Sequence, residues 1–222
     1  ITFSYRTKPM GFKWPETMEE RPLLTHVKNK TVTFKDGSTA DVDVIIMCTG
    51  YLHHYPYLTD DLRLESPNNV YPVNLYKGCL WTKGGNNKLF YVGAHDQFYT
   101  FTMFDIQGHW VVQAILEILK LPNSEDRGKD MSKWLTRLKT LKDYHDGIDF
   151  QTDYLIDLAK DTKFPHNLDA SKIFHDWEHH KDENILTYRN RCFKSLYTNN
   201  ESPPPRKTFM EEMDDSVEGF IK

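Results

Sequence analysis

The sequence lacks the features that mark several large classes of protein. No apolar run approaches the ~20 residues of a membrane-spanning helix, and the first residues do not have the pattern of a signal peptide. The three cysteines are widely separated and odd in number, which argues against a disulfide framework and against a zinc ribbon. These absences favour a reducing compartment, and we expect a cytoplasmic location.

Neither sign of charge is in large excess. The chain has 28 Lys and Arg against 32 Asp and Glu, for a formal net charge of −4 and a pI of about 6.2. Such a balance gives no strong field to attract a polyanion or an anionic lipid surface. We therefore expect neither nucleic acid nor a membrane among the partners.

Three motifs of catalysis and cofactor binding are also missing. The sequence contains no H-E-x-x-H, no nucleophile elbow around a serine or cysteine, and no G-x-G-x-x-G loop. His175 and His179 are four residues apart and could share one helical face as a metal pair. Because no third ligand is apparent beside them, we predict no metal site.

What the sequence does contain is two apolar runs that end in glycine. In "DVDVIIMCTGYLHH", residues 41–54, the run Val44–Met47 predicts a strand covered on both faces, as in a parallel sheet. Leu89–Gly93 predicts a second such strand. Ligands of open α/β sheets bind at the carboxyl ends of strands, and glycine lets a backbone approach a ligand closely. Both corners are therefore candidate sites; the alternative is that each glycine only makes a turn.

The remaining pattern predicts an α/β protein with a helical C-terminal region. Residues 1–6 alternate like a strand, and residues 24–43 indicate short antiparallel strands around the turn at Asp36-Gly37. The helical spacing of apolar residues predicts helices around residues 103–119, 134–146, 154–158 and 173–177, and a last acidic turn or helix around Met210 to Phe220.

Two further groups of residues could bind a ligand. Arg6 and Thr7 directly follow the first predicted strand, and a guanidinium with a hydroxyl suits a phosphate, such as the 2′-phosphate of NADP. The alternative is a solvated surface arginine. Aromatic rings, which could cage an amine by cation–π attraction or simply pack the core, occur at Phe98, Tyr99, Phe101, Phe104 and Trp177.

Five segments, in order along the chain, resemble the C-terminal half of a flavin-containing monooxygenase, and within that family the bacterial trimethylamine monooxygenases are most similar. The segments are "SYRTKPMGFKWP" at 4–15, "DVIIMCTGY" at 43–51, "NLYKG" at 74–78, "FYVGAHDQ" at 90–97 and "WEHHKDENILTYR" at 177–189. Cys48–Tyr51 is similar to the A-T-G-Y corner of the family. The resemblance covers nearly the whole chain.

The resemblance implies a flavoprotein with two dinucleotide-binding, Rossmann-like domains. Residues 1–43 would be the C-terminal tail of the NADPH-binding domain, and residues 44–222 the C-terminal part of the FAD-binding domain. Both G-x-G-x-x-G loops of the family would lie upstream. We therefore expect this chain to be inactive alone and to need an N-terminal half of the same enzyme as a separate or cleaved chain; a homodimer is a candidate assembly.

The resemblance also implies an activity. With FAD and NADPH as cofactors, such an enzyme uses O2 to N-oxygenate a small tertiary amine such as trimethylamine through a C4a-hydroperoxyflavin. Two alternatives stay open. One is an S-oxygenating or Baeyer–Villiger monooxygenase of the same fold, and the other is a non-catalytic binding or assembly fragment.

The implied site residues fall into three sets. The catalytic candidate is Asp96, beside the flavin ring. The candidates for cofactor binding are Arg6 and Thr7 at the 2′-phosphate, Gln97 near the nicotinamide ribose, and Thr49, Gly50, Tyr51 and Thr100. The candidates for the walls of the amine pocket are Trp177 and Phe98, which stands where the trimethylamine enzymes typically have tryptophan.

Overall fold

The computed structural model describes residues 1–65, 69–167 and 169–202, so the helix predicted around residues 210–220 lies outside it. The strands are β1 Thr2–Ser4, β2 Glu19–Arg21, β3 Leu24–Lys28, β4 Thr31–Phe34, β5 Thr39–Asp41, β6 Leu75–Tyr76 and β7 Leu80–Trp81. The helices are α1 Thr100–Ile115, α2 Ser124–Leu138, α3 Tyr144–Thr162 and α4 Ala170–Glu183. Two 3-10 turns occur, at Gly85–Asn87 and Tyr188–Asn190.

The chain divides into two compact units. Unit 1 contains Ile1–Thr49 and Trp177–Phe193, and unit 2 contains Gly50–Asp176 and Lys194–Asn200. The first boundary between the two units falls between Thr49 and Gly50, within the first glycine corner. Helix α4 begins in unit 2 and ends in unit 1.

Unit 1 contains a three-stranded antiparallel sheet in the order β3-β4-β5. This confirms the strands predicted for residues 24–43, and Gly37 makes the turn between β4 and β5 with a φ of 83°. Alternation buries Val32 and Phe34 on one face of β4. The N-terminal β1 pairs in parallel with β2, so Thr2–Ser4 is a strand as predicted.

Unit 2 is built around helices that pack on a β-hairpin. Helix α1 lies against α3, α2 lies against β6, and β6 pairs antiparallel with β7. The largest fully buried side chains of the described residues are Trp110, Trp134, Tyr71, Tyr154 and Phe150, so aromatic rings dominate this core. Burial of such rings from water is the main stabilising term for this unit.

Side-chain caps explain where α2 and α3 begin. The Asn123 side chain accepts a hydrogen bond from Asp126 N at 2.9 Å, and Asp143 accepts one from Asp146 N at 3.0 Å. Each cap satisfies a backbone N–H that the first helical turn leaves without a partner. The prediction that a helix ends at Asp146-Gly147 was therefore wrong, because Asp143 starts a new helix three residues earlier.

The two buried strands predicted at the glycine corners are also wrong. Residues 44–50 have no regular structure, and Val44, Ile46 and Met47 are 75%, 80% and 73% exposed. The run Leu89–Gly93 forms a single bridge, between Leu80 and Phe90. A strand buried on both faces needs neighbouring strands for its backbone and covering helices for its side chains, and the described part of the chain places none on Val44–Met47.

The fold has one further property that bears on function. Among the described residues, no helix combines the length and the apolar character needed to cross a bilayer.

Candidate functional site

Two stretches of unit 2 meet at a pocket of about 310 Å³. One is the segment that follows the first glycine corner, and the other is the loop between Gly93 and the start of α1. The pocket is lined by Tyr51, His53, Gly93, His95, Asp96, Gln97 and Thr100. Residues more than 40 positions apart in sequence therefore share one cavity, and it opens at the two corners where ligand binding was predicted.

A histidine joins the two stretches. His53 Nε2 lies 3.1 Å from the carbonyl oxygen of Ala94. A carbonyl oxygen can only accept, so the ring nitrogen donates, and Nε2 carries the proton in the neutral ring. His53 also stacks on Tyr55 at 6.1 Å between ring centroids. The contact with Ala94 keeps the segment at Tyr51 beside the second glycine corner.

The loop Gly93–Phe98 is held by two glutamines of the neighbouring helices. Gln107 of α1 accepts a hydrogen bond from Gly93 N at 2.8 Å, and Gln151 of α3 accepts one from Phe98 N at 2.8 Å. The amide group of Gln151 also donates to the carbonyl oxygen of Asp96. Both glutamines are fully buried. Because the loop has no regular structure, these side chains replace the backbone partners that a helix or sheet would supply.

His95 lies at the bottom of the pocket and stays neutral. Burial, aided by the charge of nearby His53, lowers the pKa of His95 to about 3. Gln107 Nε2 points to His95 Nδ1 at 3.2 Å and to Tyr154 Oη at 2.9 Å. Since Gly93 N–H fixes Gln107 Oε1 as the acceptor end of the amide, Nε2 is the donor, and His95 is the tautomer with its proton on Nε2.

Gly93 is required by both its backbone and its surroundings. Its φ is +76°, and an added Cβ would lie 2.5 Å from Cε1 of Phe104. The glycine corner at Gly50 has a similar φ of +77° but open space around it. The first corner therefore needs glycine for its conformation alone, whereas the second also needs it for the close packing of α1.

The pocket presents both hydrogen-bond donors and an acceptor. Helix α1 begins at the pocket with no side-chain cap and no acidic residue in its first turn, so its free N–H groups and positive dipole end stay available. Gln97 donates to Gly93 O at 3.3 Å, and its Oε1 is buried without a partner among the described residues. A ligand here can accept from α1 and donate to Gln97.

Four of the predicted site residues are brought together. The pocket lining includes Tyr51, Asp96, Gln97 and Thr100. Asp96 is exposed, and its backbone N–H donates to Asn69 O at 2.8 Å. Gly93, the glycine of the second predicted corner, also lines the pocket. The structure adds two residues that were not predicted as site residues, His53 and His95. Only their position could have indicated them, since each lies a few residues beyond a predicted corner.

The other predicted residues do not line this pocket. Phe98 packs over α3, where an added Cβ on Gly147 would lie 3.0 Å from its ring. Gly50 is exposed at the start of unit 2. The remaining four belong to unit 1 and are Arg6, Thr7, Thr49 and Trp177. Arg6 and Thr7 are exposed just after β1, and Trp177 packs edge-on against Tyr188 at 5.0 Å.

His175, one member of the candidate metal pair, has other partners. Its Nε2 is 2.7 Å from Asp149 Oδ1, and its Nδ1 is 2.9 Å from Nδ1 of His145. His179 instead lies 3.4 Å from Glu183. In residues 1–65, 69–167 and 169–202, no group of three or more His, Cys, Asp or Glu is arranged to hold a metal ion.

The sequence of this chain matches a known protein family. The sequence profile described as "Flavin-binding monooxygenase-like" matches residues 16–165, which include the pocket and both helices that support it. The chain belongs to the flavin-binding monooxygenase-like family. This confirms the family resemblance and the mixed α/β flavoprotein fold that were expected from the sequence.

Individual proteins are similar to this chain over most or all of its length. A trimethylamine monooxygenase of Methylocella silvestris is 46% identical over 222 residues, which cover 99% of this chain and 49% of that protein. The crystal structure of Tmm from Pelagibacter sp. strain HTCC7211 has a TM-score of 0.89 at 42% identity, over 99% of this chain and 50% of that one. An S-allyl-L-cysteine S-oxygenase from Allium sativum, at 20% identity and a TM-score of 0.62 over 83% of this chain and 44% of that one, shares the fold.

The chain spans about half the length of the curated relatives it matches, and the matching part is their C-terminal half.

Proposed function

We propose that this chain forms part of a flavin- and NADPH-dependent monooxygenase that converts a small tertiary amine, trimethylamine, to its N-oxide. The observation that carries the proposal is the pocket at which Tyr51 and the loop Gly93–Thr100 meet. It combines with 46% and 42% identity to proteins named trimethylamine monooxygenase. The polypeptide that supplies the two dinucleotide loops is the proposed partner, as the N-terminal half of the same enzyme.

The pocket residues fit a flavin. The edge of the flavin ring carries carbonyl oxygens that suit the uncapped N-terminus of α1, and a ring N–H that suits the partnerless Oε1 of Gln97. Gly93 leaves the backbone open for close approach, and an added Cβ would disturb the contact with Phe104. When bound, the flavin supplies the electron transfer and the activation of O2 that the protein side chains cannot perform.

The residues of this chain act by binding, orienting and excluding water. In the proposal, Tyr51, Gln97 and Thr100 hold the flavin in the pocket, and Asp96 is the exposed acid beside the reacting region. Buried His95 stays neutral, so the bottom of the pocket does not carry a positive charge at ordinary pH. Shielding of the reacting atoms from water is the contribution expected of such a wall.

The remaining proposed contacts come from residues outside this pocket. Residues 1–43 are proposed to be the C-terminal tail of the NADPH-binding domain, and residues 44–222 the C-terminal part of the FAD-binding domain. Arg6 and Thr7 are exposed after β1 and carry the charge and hydroxyl that suit the 2′-phosphate of NADPH. Thr49 and Gly50, at the first glycine corner, remain proposed cofactor-binding residues. Trp177 and Phe98 remain the proposed aromatic surfaces for the amine.

A fusion protein tests this proposal. Residues 1–222 would be joined behind the N-terminal half of the Methylocella silvestris trimethylamine monooxygenase, and NADPH oxidation followed with an amine, a thioether and a ketone. We expect trimethylamine to stimulate NADPH oxidation and to appear as its N-oxide. A fusion protein that binds flavin and NADPH but responds only to the thioether or the ketone would contradict the substrate. One that binds no flavin would contradict the function.

A further inference from the structure

We propose that Gln107 and Gln151 are positioning residues that clamp the loop Gly93–Phe98 between α1 and α3 and so set the position of Asp96 and Gln97 in the pocket. The inference rests on the proposed function, because the pocket is taken to hold the flavin. Neither glutamine lines the pocket, and each acts through the loop backbone.

The loop needs partners that its own backbone cannot supply. It runs from Gly93 to Phe98 without helix or strand, and Ala94 and His95 within it are buried. A buried backbone N–H or C=O without a hydrogen bond is costly, so each such group must find a partner. Apart from the bond from Gln97 to Gly93 O, the hydrogen-bond partners described for this loop come from outside it.

The glutamines bind the loop at both ends. Gln107 accepts a hydrogen bond from Gly93 N–H at 2.8 Å, and Gln151 accepts one from Phe98 N–H at 2.8 Å. The amide of Gln151 also donates to the Asp96 carbonyl oxygen. Asp96 and Gln97 lie between these points. The two amides, with the bond from Asp96 N to Asn69 O, therefore fix the backbone from which these two side chains project.

Both glutamines are fixed in turn. Each is fully buried, and α1 and α3 pack directly against each other. Gln107 Nε2 is held by His95 Nδ1 and by Tyr154 Oη, which also donates to Lys77 O at 2.8 Å. An amide whose donor and acceptor ends are both occupied has one orientation, which makes it a rigid support for the loop.

A purely structural role for these amides makes a different prediction. If the glutamines only stabilise unit 2, their substitution would lower the free energy of unfolding of the whole unit. Amide exchange in the loop and flavin affinity would then show no specific change. Gln113, a half-buried glutamine of the same helix as Gln107, supplies the control. It lies on α1, and its amide donates to Thr162 O at 3.2 Å, at the end of α3 rather than at the loop.

The test compares Gln107→Leu, Gln151→Leu and Gln113→Leu. Backbone amide exchange would be measured by NMR on the 222-residue chain, and flavin affinity by fluorescence quenching on the fusion protein. We expect exchange to rise about tenfold or more at Gly93 in Gln107→Leu and at Phe98 in Gln151→Leu, as for loss of one buried hydrogen bond. Flavin affinity should fall about tenfold in both and stay unchanged in Gln113→Leu.

Conservative variants keep the test decisive if the leucine variants unfold. Gln107→Glu and Gln151→Glu keep the acceptor oxygen for the clamped N–H and remove the donor. We expect protection of Gly93 in the first and of Phe98 in the second to stay within about threefold of wild type. Loss of that protection with the acceptor in place would overturn the assignment of the acceptor.

The other outcomes separate the clamp from the function. Equal exchange at Gly93 and Phe98 in all three leucine variants would overturn the clamp. A loosened loop with unchanged flavin affinity would overturn the positioning role. A wild-type fusion protein that binds no flavin would overturn both the proposed function and the positioning role. In that case, faster amide exchange at Gly93 and Phe98 in the Gln107 and Gln151 variants, but not in Gln113→Leu, would still support the clamp.

Discussion

At the scale of single residues, the clearest functional prediction concerns Arg6. Arg6→Gln in the fusion protein should raise KM for NADPH about tenfold to a hundredfold, because a charge-assisted hydrogen bond contributes about 1.5–3 kcal/mol. KM for NADH, which has no 2′-phosphate, should change little. Lys8→Gln is the matched control, since Lys8 is another exposed cation two residues away. Equal effects on both cofactors would contradict the assignment.

His95 makes stability depend on pH. Its pKa is about 3 in the folded chain because of burial and the charge of His53, against 6.5 when exposed. Above pH 6.5 both states are neutral at this residue and its contribution is complete. As the pH falls toward 3, the unfolded chain binds a proton that the folded chain does not, and the free energy of unfolding falls by about 1.4 kcal/mol per pH unit.

The variant His95→Asn tests this dependence. It keeps an acceptor for Gln107 but cannot titrate, so its stability should fall less between pH 7 and pH 5 than that of wild type. His166, whose pKa is also lowered by burial, is common to both proteins and cancels in the comparison. Parallel curves from urea unfolding for wild type and His95→Asn would contradict the prediction.

Two glycines near the pocket should respond to alanine in opposite directions. Gly93→Ala places a Cβ 2.5 Å from Phe104 at a φ of +76°, and should cost about 2–4 kcal/mol. Gly108→Ala adds a Cβ in open space inside α1, and should stabilise by about 0.5–1 kcal/mol. Urea unfolding of both variants measures the difference. A loss of stability in Gly108→Ala would contradict the prediction that alanine is accommodated at that position of α1.

The residues that the sequence could not predict are the buried glutamines. Gln107 falls in helical register with Met103, Trp110 and Ala114, so an amide stands where the pattern calls for an apolar side chain. A glutamine at an apolar position of the helix was therefore the one indication in the sequence. The role of Gln107 could not be predicted from the neighbouring residues, because which backbone groups need a partner depends on how α1, α3 and the loop pack in three dimensions.

At the scale of elements, local patterns predicted what local forces decide. The antiparallel strands at residues 24–43 and the helix that became α1 follow from alternation, turn residues and helical spacing. The predicted strand at Val44–Met47 failed, because burial on both faces is a property of the neighbours and not of the run itself.

The start of α3 is a testable element. Asp143 caps the helix that carries Gln151, and the Asp146 side chain accepts a hydrogen bond from Lys142 N at 2.8 Å. Asp143→Ala should lower the free energy of unfolding by about 1 kcal/mol, whereas Asp143→Asn, which keeps the cap acceptor, should be close to neutral. Thermal unfolding gives the comparison. A similar loss in both variants would show that charge, and not the cap bond, stabilises this end.

At the scale of the whole molecule, the family and the pocket lead to the same account. The exposed apolar run Val44–Met47 directly precedes the pocket segment at Tyr51, and the chain spans about half the length of its relatives. In the proposal, the partner polypeptide brings the dinucleotide loops. The sequence motifs at both glycine corners predicted where the pocket lies, although not how its walls are held together.

The central claim is that flavin binds between Tyr51 and the loop Gly93–Thr100. Hydrogen–deuterium exchange of the fusion protein with and without flavin, read by mass spectrometry, tests it most directly. The account predicts that flavin protects residues 51–53 and 93–102. The second cavity of unit 2, lined by residues that include Asp61 and Trp81, is the internal control and should be unchanged. Protection at that cavity instead, or at neither place, would contradict the account.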